Sequence, residues 1–197
     1  MKSDWSKAEE FLKNDGVVVL PTDTLYGITG SAFSKKAVDK IYKMKGRNPN
    51  KPFIVLFNLY KDLNKFGIKI GEKKVSGSLT SRYLDKFWPG KVSIILPCKL
   101  KEFRYIHRGT NGIAFRMIGK RNKNLFNLIK KVGPIVAPSC NPEDLPVAKT
   151  IKEAKVYFNH IDRSDLWPDL YINSGKKEGN PSKLLKYQNG EFIVLRN

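Results

Sequence analysis

The feature that most narrows the fold is a set of short apolar runs, each ended by proline, glycine or a polar cluster. Val17-Val18-Val19-Leu20 stops at Pro21, and Phe53 to Phe57, Val92 to Leu96, Ile113 to Ile118 and Ile135-Val136-Ala137 repeat the pattern. Runs this short, rich in Val, Ile and Phe, read as strands with both faces covered. All fall far short of the ~18 apolar residues that a spanning helix needs. The N-terminus opens on charged residues without an apolar signal core, so no membrane or secretory segment is expected.

Helical patterns lie between the runs. Asp4 is placed to cap a helix over about Trp5 to Asn14, with Trp5, Ala8, Phe11 and Leu12 on one face and Gly16 beyond its end. Ser34 opens a second, carrying Ala37, Val38, Ile41 and Tyr42 and ending near Lys45-Gly46-Arg47. Asn58 is placed to cap a short helix through Phe66; another is expected over about Ser78 to Phe87, broken by Trp88-Pro89-Gly90. Leu125, Leu128 and Ile129 mark a helix after Asn122, and Thr150-Ile151-Lys152-Glu153 reads as a capping box. Asn189-Gly190, between Lys183 to Gln188 and Glu191 to Arg196, predicts a closing hairpin. The expected fold class is α/β, a twisted mixed sheet flanked by helices, in one domain over residues 1–197.

Charge is the unusual quantity. Lys plus Arg number 37 against 18 Asp plus Glu, a formal net charge of +19. Such an excess suits phosphate-bearing partners: RNA, DNA, nucleotides or an anionic surface. A Lys-rich composition that serves solubility is the competing explanation. Cys98 and Cys140 lack metal-ligand spacing and read as reduced cytoplasmic thiols; His107 and His160 are too few for a histidine metal cluster. Neither common glycine-rich phosphate loop is present.

Four polar clusters interrupt the apolar pattern. Pro21-Thr22-Asp23-Thr24 follows a buried strand, where α/β sheets present ligands, though a simple turn would also use these residues. Lys45-Gly46-Arg47, with Lys51 behind it, offers a guanidinium fork and mobile ammonium charges for phosphate, or is a solvated basic helix end. Arg116 stands in Ile113-Ala114-Phe115-Arg116-Met117-Ile118, on the strand face of Ala114 and Ile118; buried there it needs an anion, from a ligand or from an internal salt bridge. Ser139-Cys140-Asn141, between Pro138 and Pro142, supplies neutral donors and acceptors, or an ordinary turn, with Cys140 read as a small buried side chain.

Taken in order, Pro21 to Gly27, Lys45-Gly46-Arg47, Trp88-Pro89-Gly90, Ala114-Phe115-Arg116, Ser139-Cys140-Asn141 and Asn180-Pro181-Ser182 resemble the YrdC-like family, the threonylcarbamoyl-AMP synthases, in its short form. The resemblance runs from about Trp5 to Arg196. It implies a YrdC-like twisted sheet with a concave basic face. The implied enzyme is a nucleotidyltransferase joining L-threonine, bicarbonate and ATP into threonylcarbamoyl-AMP and pyrophosphate, with Mg²⁺. The product would pass to a tRNA threonylcarbamoyl-transfer complex; tRNA or double-stranded RNA is a candidate partner. Carried over by residue, the resemblance places threonine at Thr24, Arg116, Ser139 and Ser182, and ATP at Arg47, Lys51, Asn141 and Arg196. Lys45 and Arg47 would stand at the chemistry, and no protein metal ligand is implied. Cys140, Glu143-Asp144, Lys149, Gly112 and Lys183 depart from the family pattern, and Leu56 replaces a frequent polar residue.

Two rivals remain at this point. One is an RNA-binding module, using Lys120, Arg121, Lys123, Lys130 and Lys131 with the Lys35–Lys51 cluster. The other is a related nucleotide-binding hydrolase.

Overall fold

The structure, a computed structural model, describes residues 3–71, 79–159 and 162–197. In chain order the elements are α1 (Asp4–Lys13), β1 (Val18–Pro21), β2 (Tyr26–Ser31), α2 (Lys35–Lys45), β3 (Ile54–Phe57), α3 (Tyr60–Leu63), α4 (Ser81–Leu84), β4 (Val92–Pro97), α5 (Arg104–His107), β5 (Gly112–Met117), α6 (Lys123–Val132), β6 (Ile135–Val136), α7 (Ile151–Phe158), β7 (Leu170–Tyr171), β8 (Lys183–Gln188) and β9 (Glu191–Arg196). The strands form one mixed sheet in the order β7-β1-β2-β6-β3-β5-β4-β8-β9. β3 pairs parallel to β5 and β4 to β8, while β1–β2, β4–β5 and β8–β9 are antiparallel.

Both sheet faces are covered, which explains the unbroken apolar runs. Val17 and Val19 enter one buried cluster with Val55, Phe57, Ile113 and Phe115, while Val18 and Leu20 enter another with Leu56 and the α1 and α6 residues Leu12, Leu125 and Leu128. Trp88, Phe57, Phe66 and Phe115 form the aromatic centre of the first, with Phe57–Trp88 and Phe66–Phe115 centroids 5.1 and 5.0 Å apart. Arg116 pairs in register with Leu56, on the face away from these rings.

Several expected boundaries shift. Ser3 rather than Asp4 is the N-cap of α1, its hydroxyl accepting Ser6 N–H. Ser34 does cap α2 by accepting Ala37 N–H at 3.0 Å, and Gly46, at φ +57°, takes the left-handed turn that ends it. Asn58 does not cap α3. Its carboxamide donates instead to Phe126 O, and Asp62 accepts the Leu59 N–H. The expected start of the next helix at Ser78 lies outside the described residues, as does His160; the described helix is only Ser81–Leu84. Thr150 caps α7, but Glu153 reaches back to Lys149 N–H rather than to the N–H of the cap residue itself. β2, α5 and β7 were not expected.

Candidate active site

Strand ends and loops from across the sheet meet around one cavity of about 170 Å³. Thr22, Thr24 and Leu25 come from the β1–β2 loop, Arg47 and Pro52 from the α2–β3 loop, Arg116 from β5, Ala137-Pro138-Ser139 from the segment after β6, Pro181 and Ser182 from the approach to β8, and Arg196 from the end of β9. Six of the residues expected at the site thus share its wall: Thr24, Arg47, Arg116, Ser139, Ser182 and Arg196.

Each is held locally. Thr22 Oγ1 donates to Leu25 O at 2.7 Å and accepts the Thr24 and Leu25 N–H groups, folding the loop so that Thr24 faces inward. The two threonine hydroxyls stand 3.2 Å apart. Ser182 is 2% exposed and its hydroxyl lies 2.8 Å from that of Ser93, a buried serine in β4. Arg196 donates through Nε and Nη2 to Ser182 O, at 3.2 and 2.8 Å. Arg47 donates to the carbonyls of Lys51 and Pro52, both at 3.3 Å, with its guanidinium 5.3 Å from the Phe53 ring centroid.

The Arg116 guanidinium comes within 3.0 Å of Asp23 Oδ1, without the alignment of a hydrogen bond. The internal salt bridge weighed for this strand is therefore present. Burial lowers the Arg116 pKa, Asp23 opposes that, and Arg196 adds to it by like-charge repulsion. Arg116 Nε has no hydrogen-bond partner among the described residues.

Three expected site residues are not on the wall. Lys45 is 2% exposed and lies under the Ser139–Asn141 loop, donating to Ser139 O at 2.5 Å, to Asn141 Oδ1 at 3.3 Å and to Asn141 O. It supports the wall instead of facing the cavity, because these carbonyls already claim its ammonium protons. Burial pulls its pKa down to about 7, with Cys140 opposing. Asn141 is likewise spent on its own loop: Oδ1 accepts from Ser139 Oγ at 2.6 Å, and Nδ2 donates to Pro142 O and Leu145 O. Lys51 is ion-paired to Glu143, whose carboxylate also accepts Asn48 N–H. Those two contacts hold the Glu143 carboxyl below the ordinary range, the Lys51 bond counting most.

A second cavity, about 600 Å³, adjoins the first and shares Arg47, Pro52, Ile54 and Arg196 with it. Its other walls combine apolar Ile95, Pro97, Ala114, Leu184 and Leu195 with polar Thr110, Asn111, Lys186 and Gln188. Gly112 lies on this wall as well.

Asp23 and Tyr26 stood out in the sequence only as members of the Pro21 to Gly27 stretch, and Ser93 did not stand out. A serine inside Val92-Ser93-Ile94-Ile95 and an acid between two threonines were the available signals. Tyr26 ties the β2 side to the distant 174–175 turn, donating to Gly175 O and accepting Ser174 N–H. Gly179 backs onto the Thr24 loop so closely that a Cβ there would stand 2.7 Å from Thr24 O. Gly179→Ala is expected to cost about 1–3 kcal/mol, the usual range for overpacking. That should appear as a melting temperature roughly 3–10 °C lower.

The profile of the Sua5_yciO_yrdC family, described as "Telomere recombination", matches residues 10–197. The chain belongs to that family. Among curated relatives, the Bacillus subtilis threonylcarbamoyl-AMP synthase is 33% identical over 143 residues, 72% of this chain but 39% of that protein. The Buchnera aphidicola threonylcarbamoyl-AMP synthase is 26% identical over 185 residues, 92% of this chain and 98% of that protein. This member of the Sua5_yciO_yrdC family thus spans well under half of the first relative and nearly all of the second. The crystal structure of Pyrococcus abyssi Sua5 complexed with L-threonine superposes with a TM-score of 0.79 at 24% identity, covering 100% of this chain and 55% of that one. That likeness establishes the YrdC-like fold. No helix among the described residues is long and apolar enough to cross a membrane.

Proposed function

We propose that the chain is a threonylcarbamoyl-AMP synthase, converting L-threonine, bicarbonate and ATP into threonylcarbamoyl-AMP and pyrophosphate. The observation that carries this reading is the convergence of Thr24, Arg116, Ser139 and Ser182 with Arg47 and Arg196 around one cavity, although they lie up to 172 residues apart. The names of the relatives agree with it.

In this reading Arg116, on the cavity wall, takes the amino-acid carboxylate, and the hydroxyls of Thr24, Ser139 and Ser182 orient the rest of the threonine. Arg47 and Arg196 stand where the two cavities meet and receive the phosphates, while the apolar walls of the larger cavity suit the adenine ring. The threonine amine attacks the bicarbonate carbon and water leaves, giving a carbamate. A carbamate oxygen then attacks the α-phosphorus, and pyrophosphate departs. No protein nucleophile is needed; the residues align reactants and offset charge on phosphate oxygens. Among the described residues no group of three His, Cys, Asp or Glu could hold a metal, and Asp23 is committed to Arg116. These residues do not form a Mg²⁺ cage, and in this reading Mg²⁺ would be carried by the ATP phosphates, since it keeps several waters and takes few protein ligands. Transfer of the product to tRNA by a separate complex in the cytoplasm follows from the same assignment.

The deciding experiment measures pyrophosphate release with threonine, bicarbonate or both left out. The proposal requires release to depend on both. ATP loss independent of threonine would indicate a hydrolase, and salt-sensitive RNA binding without turnover would indicate a binding module.

Lys51 yields a separate expectation. Its ammonium is occupied by Glu143, so a phosphate must displace that carboxylate to use it. Glu143→Gln should therefore lower the KM for ATP about two- to fivefold, the scale of a partly exposed ion pair. Steady-state kinetics at low salt tests this, and a raised KM would mean that the pair instead orders the loop for ATP.

A further inference from the structure

We propose that Asp23 is a positioning residue for amino-acid recognition: its carboxylate stands behind the Arg116 guanidinium and fixes the direction in which that guanidinium meets the substrate carboxylate. This rests on the assignment of Arg116 to the carboxylate of threonine. Thr22 and Thr24 both line the cavity, and Asp23 between them does not. Its side chain is 6% exposed and turns to Arg116, itself 5% exposed. The contact crosses the sheet, because Asp23 follows β1 while Arg116 lies on β5, with β2, β6 and β3 between them.

Charge and geometry both point to this role. Arg47, Arg116 and Arg196 all reach the cavity wall, and among the described residues no Asp or Glu shares it. Asp23 is the acid against the most deeply buried of the three, where an uncompensated guanidinium is costly. Compensation from behind leaves the inward side of the guanidinium available. The contact engages Nη2 and leaves Nε without a partner. Because Arg116 lines the cavity and Asp23 does not, a carboxylate entering the cavity meets the guanidinium without having to displace Asp23. Neutralising Arg116 in advance also favours a zwitterionic amino acid over a small dianion, since the local pair carries no net charge for a second negative group to exploit.

The test is a cycle of Asp23→Asn, Arg116→Gln and the double variant, read by threonine- and bicarbonate-dependent pyrophosphate release, with melting curves for each. Asp23→Asn is expected to raise the KM for threonine about ten- to a hundredfold while the KM for ATP stays within about twofold, because loss of alignment acts only on the group being aligned. Asp23→Glu keeps the charge and should recover most of the affinity. In the Arg116→Gln background, Asp23→Asn should add nothing further, since a residue acting through Arg116 has no target once it is gone. That comparison uses only Arg116→Gln and the double variant, so it does not require Asp23→Asn alone to fold.

An unchanged threonine KM in Asp23→Asn, or an equal further loss in the double variant, overturns the proposal. So does a loss confined to kcat and melting temperature, which is what mere support of the fold would give. If Arg116→Gln itself leaves the threonine KM unchanged, the assignment of the pocket fails first, and the two failures are told apart.

Discussion

Arg47→Ala is expected to reduce threonine- and bicarbonate-dependent pyrophosphate release about a hundred- to a thousandfold, the usual effect of deleting one donor aimed at developing charge. Arg47 lies on the wall of both cavities, so the reading places it beside the bond that breaks. Its own contacts pre-set it: two backbone carbonyls from Lys51 and Pro52 fix the fork, and the Phe53 ring lies beneath the guanidinium. None of these holds an element of the sheet, so the melting temperature should move little. Arg47→Lys should recover only part of the activity, because a single ammonium cannot reproduce a planar fork. Full activity in Arg47→Ala would remove this residue from the chemistry.

The second large effect concerns pH and Lys45. Burial brings this lysine to about 7 in the folded chain, against an ordinary value near 10.5 when unfolded. Below pH 7 both states hold the proton and this group adds no slope. Between about pH 7 and 10 the unfolded chain keeps a proton that the folded chain has released. Stability therefore rises with pH in that window and is lost again as pH falls through 7, by up to about 1.4 kcal/mol per unit from this residue. Lys45→Met should abolish that slope. Urea unfolding of both proteins at pH 7, 8 and 9 measures it, and the difference between them cancels other titrating groups. The same variant removes the donor shared by Ser139 O, Asn141 O and Asn141 Oδ1, so turnover should also fall as the loop loses its support. Parallel stability profiles would show that Lys45 stays charged in the fold.

What could be read in advance follows how local each signal is. The β3 and β5 runs are apolar on both faces and announce themselves; so does the hairpin at Asn189-Gly190. β2 was hidden because Tyr26-Gly-Ile-Thr-Gly-Ser carries two glycines, which weaken strand propensity. It forms because Tyr26 to Thr29 pair with β1, and its Gly30 lets α2 approach: a Cβ there would stand 2.9 Å from that of Ala37. β7 is two residues long and exists only by pairing with Val18 and Val19. At the site, Arg116 was legible as a charge on one face of an apolar strand. Its partner was not, because Asp23 reaches it across three intervening strands. Lys45 and Asn141 were legible as polar residues near the site, but side-chain direction decides wall against support, and spacing along the chain carries no such information.

The cavity walls have no single owner. Each contributing loop is shaped by pairings made elsewhere, so the arrangement cannot be lifted out as a cassette and grafted onto another scaffold. A chain inheriting this cavity has to inherit the strands whose ends and loops form its wall.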